Sequence, residues 1–242
     1  MERPNKRTSL GRNLTHGLAD ALGRSIVRGG YDGRPFPTEA ELAREHGVSR
    51  SVTREAVKML TAKGLLSARP RQGTIVQPPT SWSLFDTDVL EWLRERSFSV
   101  ELLLQFTELR AAIEPAAAAI AATNADAAGL DLIASAFRGM QSADRGGGDP
   151  IEADIAFHVA ILQASGNPFF ARLRDMVSTA LRTSIPYTNR VAGGAADLPR
   201  HRLVLDAIRK RRPRQAREAM AELIAYTRAL IEHPKRNSNR AR

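Results

Sequence analysis

The sequence predicts a mainly α-helical protein in two parts, a small unit of helices closed by one β-hairpin and then an all-α helical bundle. Three observations carry this. Apolar residues recur at three- and four-residue spacing along most of the chain. Helix-start signals and glycine stops cut that pattern into discrete elements. Residues that favour strands gather at Leu65-Leu66 and Thr74-Ile75-Val76, either side of a short basic turn.

Residues 1–13 are polar and basic without periodicity, and are expected to form a disordered arm. From Leu14 onward, Leu18, Leu22, Ile26 and Val27 mark one helix face, and Gly29, Gly30 and Gly33 end that helix. Thr38 is a good N-cap and Glu41, three residues later, completes a capping box, so a second helix runs from there to Gly47. Ser49 caps a third helix whose inward stripe is Val52, Ala56, Val57 and Leu60, ending near Gly64. The two β-prone pieces flank Arg69-Pro-Arg-Gln-Gly73, a basic hairpin tip. Pro78-Pro79 marks a boundary, giving a first domain over 14–79, a second over 80–234 and a basic tail over 235–242. Helices in the second domain are expected over 86–96, 99–123, 126–143, 150–166, 168–190, 198–211 and 213–232, with breaks at the Gly146–Gly148 run, Gly166-Asn167-Pro168, Gly193-Gly194 and Pro213. Trp82 and Trp92 read as packing at a domain interface rather than as ligand-stacking residues.

Composition narrows the class. Of 242 residues, 43% are hydrophobic and 26% charged, the balance of a globular protein able to fill its cores. No apolar run approaches the ~20 residues that span a bilayer. The opening MERPNKRTSLGRN has no apolar stretch behind its charges, unlike a secretory signal. The absence of cysteine removes disulfides, thiolate zinc sites and cysteine nucleophiles, and suits a cytoplasmic location. The net charge of +10 is unevenly placed: residues 1–79 hold 14 Lys/Arg against 7 Asp/Glu, residues 80–233 hold 18 against 19, and the last nine add four cations. A basic N-terminal unit joined to a near-neutral one suggests a nucleic-acid module plus something else. A solvated basic surface is the plainer alternative.

Helix, tight turn at Gly47, a helix opening Ser49-Arg50-Ser51-Val52-Thr53-Arg54 and then a basic hairpin is the order of a winged helix-turn-helix. In such a unit the second helix enters the DNA major groove. Arg50 and Arg54, four residues apart, share a face, and each can make a bidentate contact to guanine O6 and N7. Ser49, Ser51 and Thr53 sit at the positive helix end, where hydroxyls can donate to phosphate oxygens. Arg69, Arg71, Gln72 and Gly73 at the wing tip are placed for the flanking backbone or minor groove. In isolation Arg50 and Arg54 would be two solvated arginines; the ordered context makes them base readers. The string Phe36-Pro-Thr-Glu-Ala-Glu-Leu-Ala, Gly47-Val-Ser-Arg-Ser-Val-Thr-Arg-Glu-Ala-Val, Gly64-Leu-Leu and Gln72-Gly73-Thr resembles the winged-helix domain of GntR-type bacterial regulators. The resemblance implies operator contacts from Ser49, Arg50, Arg54 and the wing around Gln72-Gly73. Ala40 departs from it, since many relatives carry a DNA-touching arginine there.

In the second part, Asp154 and His158 are four apart on one helix, and His201 heads another. That spacing suits either a divalent cation or an ordinary hydrogen-bonded pair on a helix. The segments Asp154…Phe157-His158…Ala164-Ser-Gly-Asn167-Pro168 and His201…Ala207-Ile208 resemble the all-helical FCD ligand-binding domain of the FadR subgroup of that family. The resemblance implies a metal, Zn²⁺ or similar, held by one Asp and three His. Here the last position is Leu223, so Asp154, His158 and His201 form an incomplete set, open to water or effector oxygens, or metal-free. Ser81-Trp82-Ser-Leu-Phe-Asp86-Thr-Asp88-Val-Leu-Glu-Trp92 resembles the interdomain segment of galactonate-operon repressors within the subgroup. This narrower likeness implies a sugar-acid effector such as D-galactonate, bound among Arg110, Asp154, His158, Asn189 and His201. Arg110 is suited to an effector carboxylate by its bidentate geometry, or equally to a pair with Glu114 at i+4. The expected protein is a homodimeric DNA-binding repressor, bound to double-stranded operator DNA and released by a small carboxylate. A metal-dependent enzyme of small carboxylates and a ligand-independent DNA binder are the rival readings.

Overall fold

The computed structural model describes residues 6–69, 73–95, 99–192 and 197–233. The chain divides into two compact units, Met1–Ser97 and Phe98–Arg242. The first contains α1 (Lys6–Val27), α2 (Glu39–Glu45), α3 (Arg50–Ala62), β1 (Leu66–Arg69), β2 (Gly73–Val76) and α4 (Thr87–Arg94). Helix α1 begins at Lys6, so Lys6–Asn13 is helical where the sequence led us to expect no regular structure; residues 1–5 lie outside the described ones.

The helix starts in this unit follow from their caps. Thr38 Oγ1 accepts from the Glu41 N–H at 3.3 Å, while the Glu41 carboxylate accepts the Thr38 N–H at 2.8 Å, the reciprocal pair of a capping box. Ser49 Oγ accepts the Val52 N–H at 3.3 Å and opens α3. Leu18, Leu22 and Ile26 of α1 bury against Leu42, Ala56, Leu60 and Leu66. Leu14, at the head of that stripe, is 50% exposed. Strands β1 and β2 pair antiparallel, with Leu66 opposite Val76 and Arg69 opposite Gly73.

This unit runs past Pro78-Pro79. Trp82 and Trp92 are buried in its core, together with Val89 and Leu93. The Trp82 indole N–H donates to the Gln77 carbonyl at 2.9 Å and that of Trp92 to Asp20 at 2.8 Å. Burying two indoles removes a large apolar surface from water, so the chain over 80–95 stays with the first unit. The C-terminal end of α3 is tied to this segment. Lys63 Nζ, only 15% exposed, reaches both Asp86 oxygens at 2.7 Å and Asp88 at 2.9 Å, and the Ser83 N–H donates to the Lys63 carbonyl at 2.9 Å. Burial opposes the charge on Lys63, but the two aspartates outweigh it and raise its pKa. Gly64, with φ at +77°, lies so close to the Ser81 carbonyl oxygen that a Cβ there would collide with it.

The second unit is α5 (Val100–Asn124), α6 (Ala127–Asp144), α7 (Pro150–Ala164), α8 (Pro168–Arg172), α9 (Arg174–Ala192), α10 (Leu198–Arg209) and α11 (Pro213–Glu232). The single helix expected over 168–190 is therefore two. Leu173 closes a tighter turn by donating its N–H to the Phe170 carbonyl at 3.0 Å, and the ladder restarts at Arg174. Among the described residues no strand follows residue 80, and no helix is long and apolar enough to cross a membrane. Ala117, Ala118, Ala121 and Ala122 are buried on α5, where small side chains let α11 pack closely. Helix α7 is apolar on almost every side, so it runs through the interior and carries Asp154 and His158 in with it.

Candidate functional site

The first candidate site is the exposed N-terminal face of α3. Ser49, Arg50, Ser51 and Arg54 are all exposed, and the Ser49 and Ser51 hydroxyls lie 2.9 Å apart. Arg54 keeps 60% of its side chain in solvent and makes a loose pair with Glu39 at 3.3 Å. Such an exposed pair is worth little and opens readily for a stronger partner. Thr53 is different. It is fully buried and its hydroxyl donates to the Ser49 carbonyl at 3.2 Å, so the expectation of a Thr53–phosphate contact is corrected. The helical spacing explains this: Thr53 lies three residues before Ala56 and seven before Leu60, on the inward stripe. Lys58, one turn beyond Arg54 and also exposed, extends the cationic row and was missed by sequence reasoning, although the same four-residue spacing marks it. In the wing, Arg69 is exposed at the end of β1 and Gly73 opens β2 at a left-handed φ of +78°. Arg71 and Gln72 lie outside the described residues. Ala40 is exposed and offers no donor.

The second candidate site is a cavity of about 190 Å³ in the helical unit, walled by α5, α7, α9, α10 and α11. Asp154, His158 and His201 meet on its wall, with one potential ligand atom from each all within 4.8 Å of one another. The Asp154 Oδ1 atom lies 3.2 Å from His158 Nε2 and 3.5 Å from His201 Nε2. Neither approach is aligned as a hydrogen bond, and Asp154 Oδ1 and His201 Nε2 are the two buried side-chain polar atoms without a hydrogen-bond partner among the described residues. The second nitrogen of each ring is held. His201 Nδ1 lies 2.7 Å from the Asp197 carbonyl oxygen, so it donates there and turns Nε2 toward Asp154. His158 Nδ1 lies 2.5 Å from Glu114 Oε2. Two oriented imidazoles and a carboxylate, each imidazole backed by an outer oxygen, fit a divalent cation. Leu223, buried on α11, lines the same cavity.

Beside this trio sits a charged cluster of which local sequence reveals only one pairing. Arg110 Nε donates to Glu114 Oε1 at 2.6 Å and Nη2 to Oε2 at 3.4 Å, so the i+4 pairing is the one formed. Burial alone would raise the Glu114 carboxyl, but the Arg110 and His158 charges beside it prevail and hold it at about 2. Burial likewise opposes the Asp154 charge, and His201 and His158 overcome it, leaving the carboxyl well below its ordinary range. His158 goes the other way: desolvation would lower its pKa, yet Glu114 and Asp154 raise it. Asn189 lines the cavity from α9, half-buried, and Arg110 reaches its wall. The cavity therefore gathers all five residues expected at an effector site, and Glu114, outside its lining, orients His158.

Residues 14–76 match the family model for bacterial regulatory proteins of the gntR family, and residues 105–226 match that of the FCD domain. The chain is similar to the galactonate operon transcriptional repressor of Escherichia coli, at 35% identity over 91% of this chain and 98% of the other. It is also similar to an uncharacterized HTH-type transcriptional regulator of E. coli, YieP, at 34% identity over 81% and 86%. A solved structure described as that of Lar, which controls expression of the Listeria monocytogenes agr system, shares the fold, with a TM-score of 0.61 at 18% identity over 90% of this chain and 96% of that one.

Proposed function

The chain belongs to the GntR family of bacterial regulatory proteins and carries an FCD domain, and on that premise we propose that it represses a sugar-acid catabolic operon, leaving its operator when a small carboxylate such as D-galactonate binds. Membership in a family of transcription regulators also sets aside the reading as an enzyme. In the proposed mechanism a homodimer sets two copies of α3 on half-sites of a palindrome about 34 Å apart. Arg50 and Arg54 read base edges, Ser49 and Ser51 hold phosphates, and Arg69, Arg71, Gln72 and Gly73 serve the flanking DNA. Effector binding in the helical unit favours a dimer whose heads no longer match that spacing.

The observation that carries the sensor reading is the pair of unpartnered buried atoms, Asp154 Oδ1 and His201 Nε2, on two residues that line a cavity. Buried polar groups left without partners are costly, and a cavity beside them is where a ligand or ion repays that cost. Asp154, His158 and His201 would hold a divalent cation such as Zn²⁺, which when bound supplies a Lewis-acidic charge for the effector carboxylate. The other residues position. Asp197 fixes the His201 tautomer, Glu114 orients His158, and Arg110, its charge matched by Glu114, donates hydrogen bonds from the wall. Asn189 offers an amide to a ligand hydroxyl. Leu223 leaves the remaining position to water or effector oxygens.

Fluorescence anisotropy of a labelled operator duplex tests this. D-galactonate should lower the affinity of the native chain for operator. His201→Ala should keep the DNA affinity and lose the response. An unaltered response in that variant would refute the assigned pocket. Equal binding to operator and mixed-sequence DNA, unmoved by any sugar acid, would favour the ligand-independent binder.

A further inference from the structure

The lining of the cavity also offers oxygens whose protons are already committed. Thr188 of α9 is buried, and its hydroxyl donates to the Ser184 and Ile185 carbonyls, each at 3.2 Å. Thr227 of α11 donates to the Leu223 carbonyl at 3.2 Å. Both residues line the cavity, on two helices that pack together. A hydroxyl has one proton; once that proton is given to the helix backbone, only lone pairs are left for a ligand. Threonines bonded this way are common in helices and mark nothing by themselves. Here two of them, from separate helices, line the same cavity as Asp154 and His201, whose Oδ1 and Nε2 atoms have no partner.

We infer that Thr188 and Thr227 are specificity-determining residues that accept hydrogen bonds from the hydroxyls of a polyhydroxy carboxylate, selecting it over carboxylates of equal length without hydroxyls. The inference rests on the sensor reading above. An alkyl chain in this position would bury both threonine oxygens with no donor near them. A dicarboxylate would set acceptor against acceptor. A polyol supplies a donor for each, while Leu181, Ile185 and Leu230, which line the same cavity, take its C–H faces. Charge recognition at the histidine end and acceptor recognition at the threonine end together describe a sugar acid, and neither end alone does.

The test is isothermal titration calorimetry on the full chain with D-galactonate, D-gluconate, hexanoate and adipate. The native protein should prefer the two hexonates to hexanoate and adipate. Thr188→Val and Thr227→Val, which keep shape and lose the oxygen, should each weaken hexonate binding about 3- to 10-fold, the range for one hydrogen bond. Neither should weaken hexanoate. Thr188→Ser and Thr227→Ser should restore hexonate binding. The ligand series on the native chain stands even where a valine variant misfolds. Equal affinity for hexanoate, adipate and hexonate would overturn the inference, as would valine variants with unchanged hexonate affinity. Operator release by a carboxylate without hydroxyls would sink this inference and leave the regulator reading intact. Failure of every carboxylate to bind would sink the sensor reading as well.

Discussion

Replacing Glu114 by Gln should cost the helical unit about 3 kcal/mol at neutral pH. Glu114 is 1% exposed and its carboxylate accepts from Arg110 Nε at 2.6 Å while facing His158 Nδ1 at 2.5 Å. The glutamine keeps the volume and removes the charge, leaving the Arg110 guanidinium buried without its counter-ion. Two independent routes give the magnitude. Breaking one side of a buried ion pair costs about 3–5 kcal/mol. The carboxyl stands at about 2 instead of its ordinary 4.5, which at about 1.4 kcal/mol per pH unit is about 3 kcal/mol. Because the folded-state value is depressed, this stabilisation is complete above pH 4.5 and is lost as the pH falls from there toward 2. At about 2–4 °C per kcal/mol for a domain of this size, the melting temperature at pH 7 should fall by roughly 10 °C. Calorimetry on the full chain reads it, and the gap between native and variant should narrow below pH 4.5. A variant melting within about 2 °C of the native protein at pH 7, or a gap as wide at pH 3 as at pH 7, would refute the reasoning.

Other perturbations discriminate further. Arg54→Ala should weaken operator binding by about 1–3 kcal/mol in anisotropy titrations with little change in stability, since the Glu39 pair it gives up is exposed; unchanged affinity would remove Arg54 from the reading face. Gly64→Ala should destabilise the first unit by more than the ~1–2 kcal/mol of a left-handed alanine, because its Cβ also meets the Ser81 carbonyl; a thermal melt indistinguishable from native would contradict that contact. Zn²⁺ at a hundred times its dissociation constant should stabilise the helical unit by about 2.7 kcal/mol, reversed by chelation. In Asp154→Ala that response should vanish; if it persists, the cation sits elsewhere.

The winged unit was legible because its signals are local. A capping box, a serine cap and glycines at Gly47 and Gly64 each act within a turn of chain, and each stands where the pattern put it. Asp154 and His158 were legible for the same reason, being one turn apart. The misreadings came from choices made by packing across distance. Polarity placed Thr53 outward, yet its phase with Ala56 and Leu60 sends it in, and a methyl plus a back-bonded hydroxyl makes that burial cheap. Pro78-Pro79 punctuates the chain, but Trp82 and Trp92 decide where the core ends. The i+4 pairing of Arg110 with Glu114 was visible in outline. The reach of Glu114 to His158, 44 residues along the chain, depends on α5 lying against α7, which no local pattern records.

The Lys63 clamp has a mechanical corollary. Ammonium and carboxylates tie the tail of α3, the helix proposed to enter the groove, to the start of α4, so the two are expected to turn as one lever. From Lys63 back to Arg50 that lever is about 20 Å long, at 1.5 Å per residue over the 13 residues of α3. Rocking α4 by ten degrees then sweeps the reading end through about 3.5 Å, greater than the length of the hydrogen bonds it would have to keep. In the proposed regulator, a modest rotation of α4 would be enough to lift the Arg50 and Arg54 guanidinium groups off the bases.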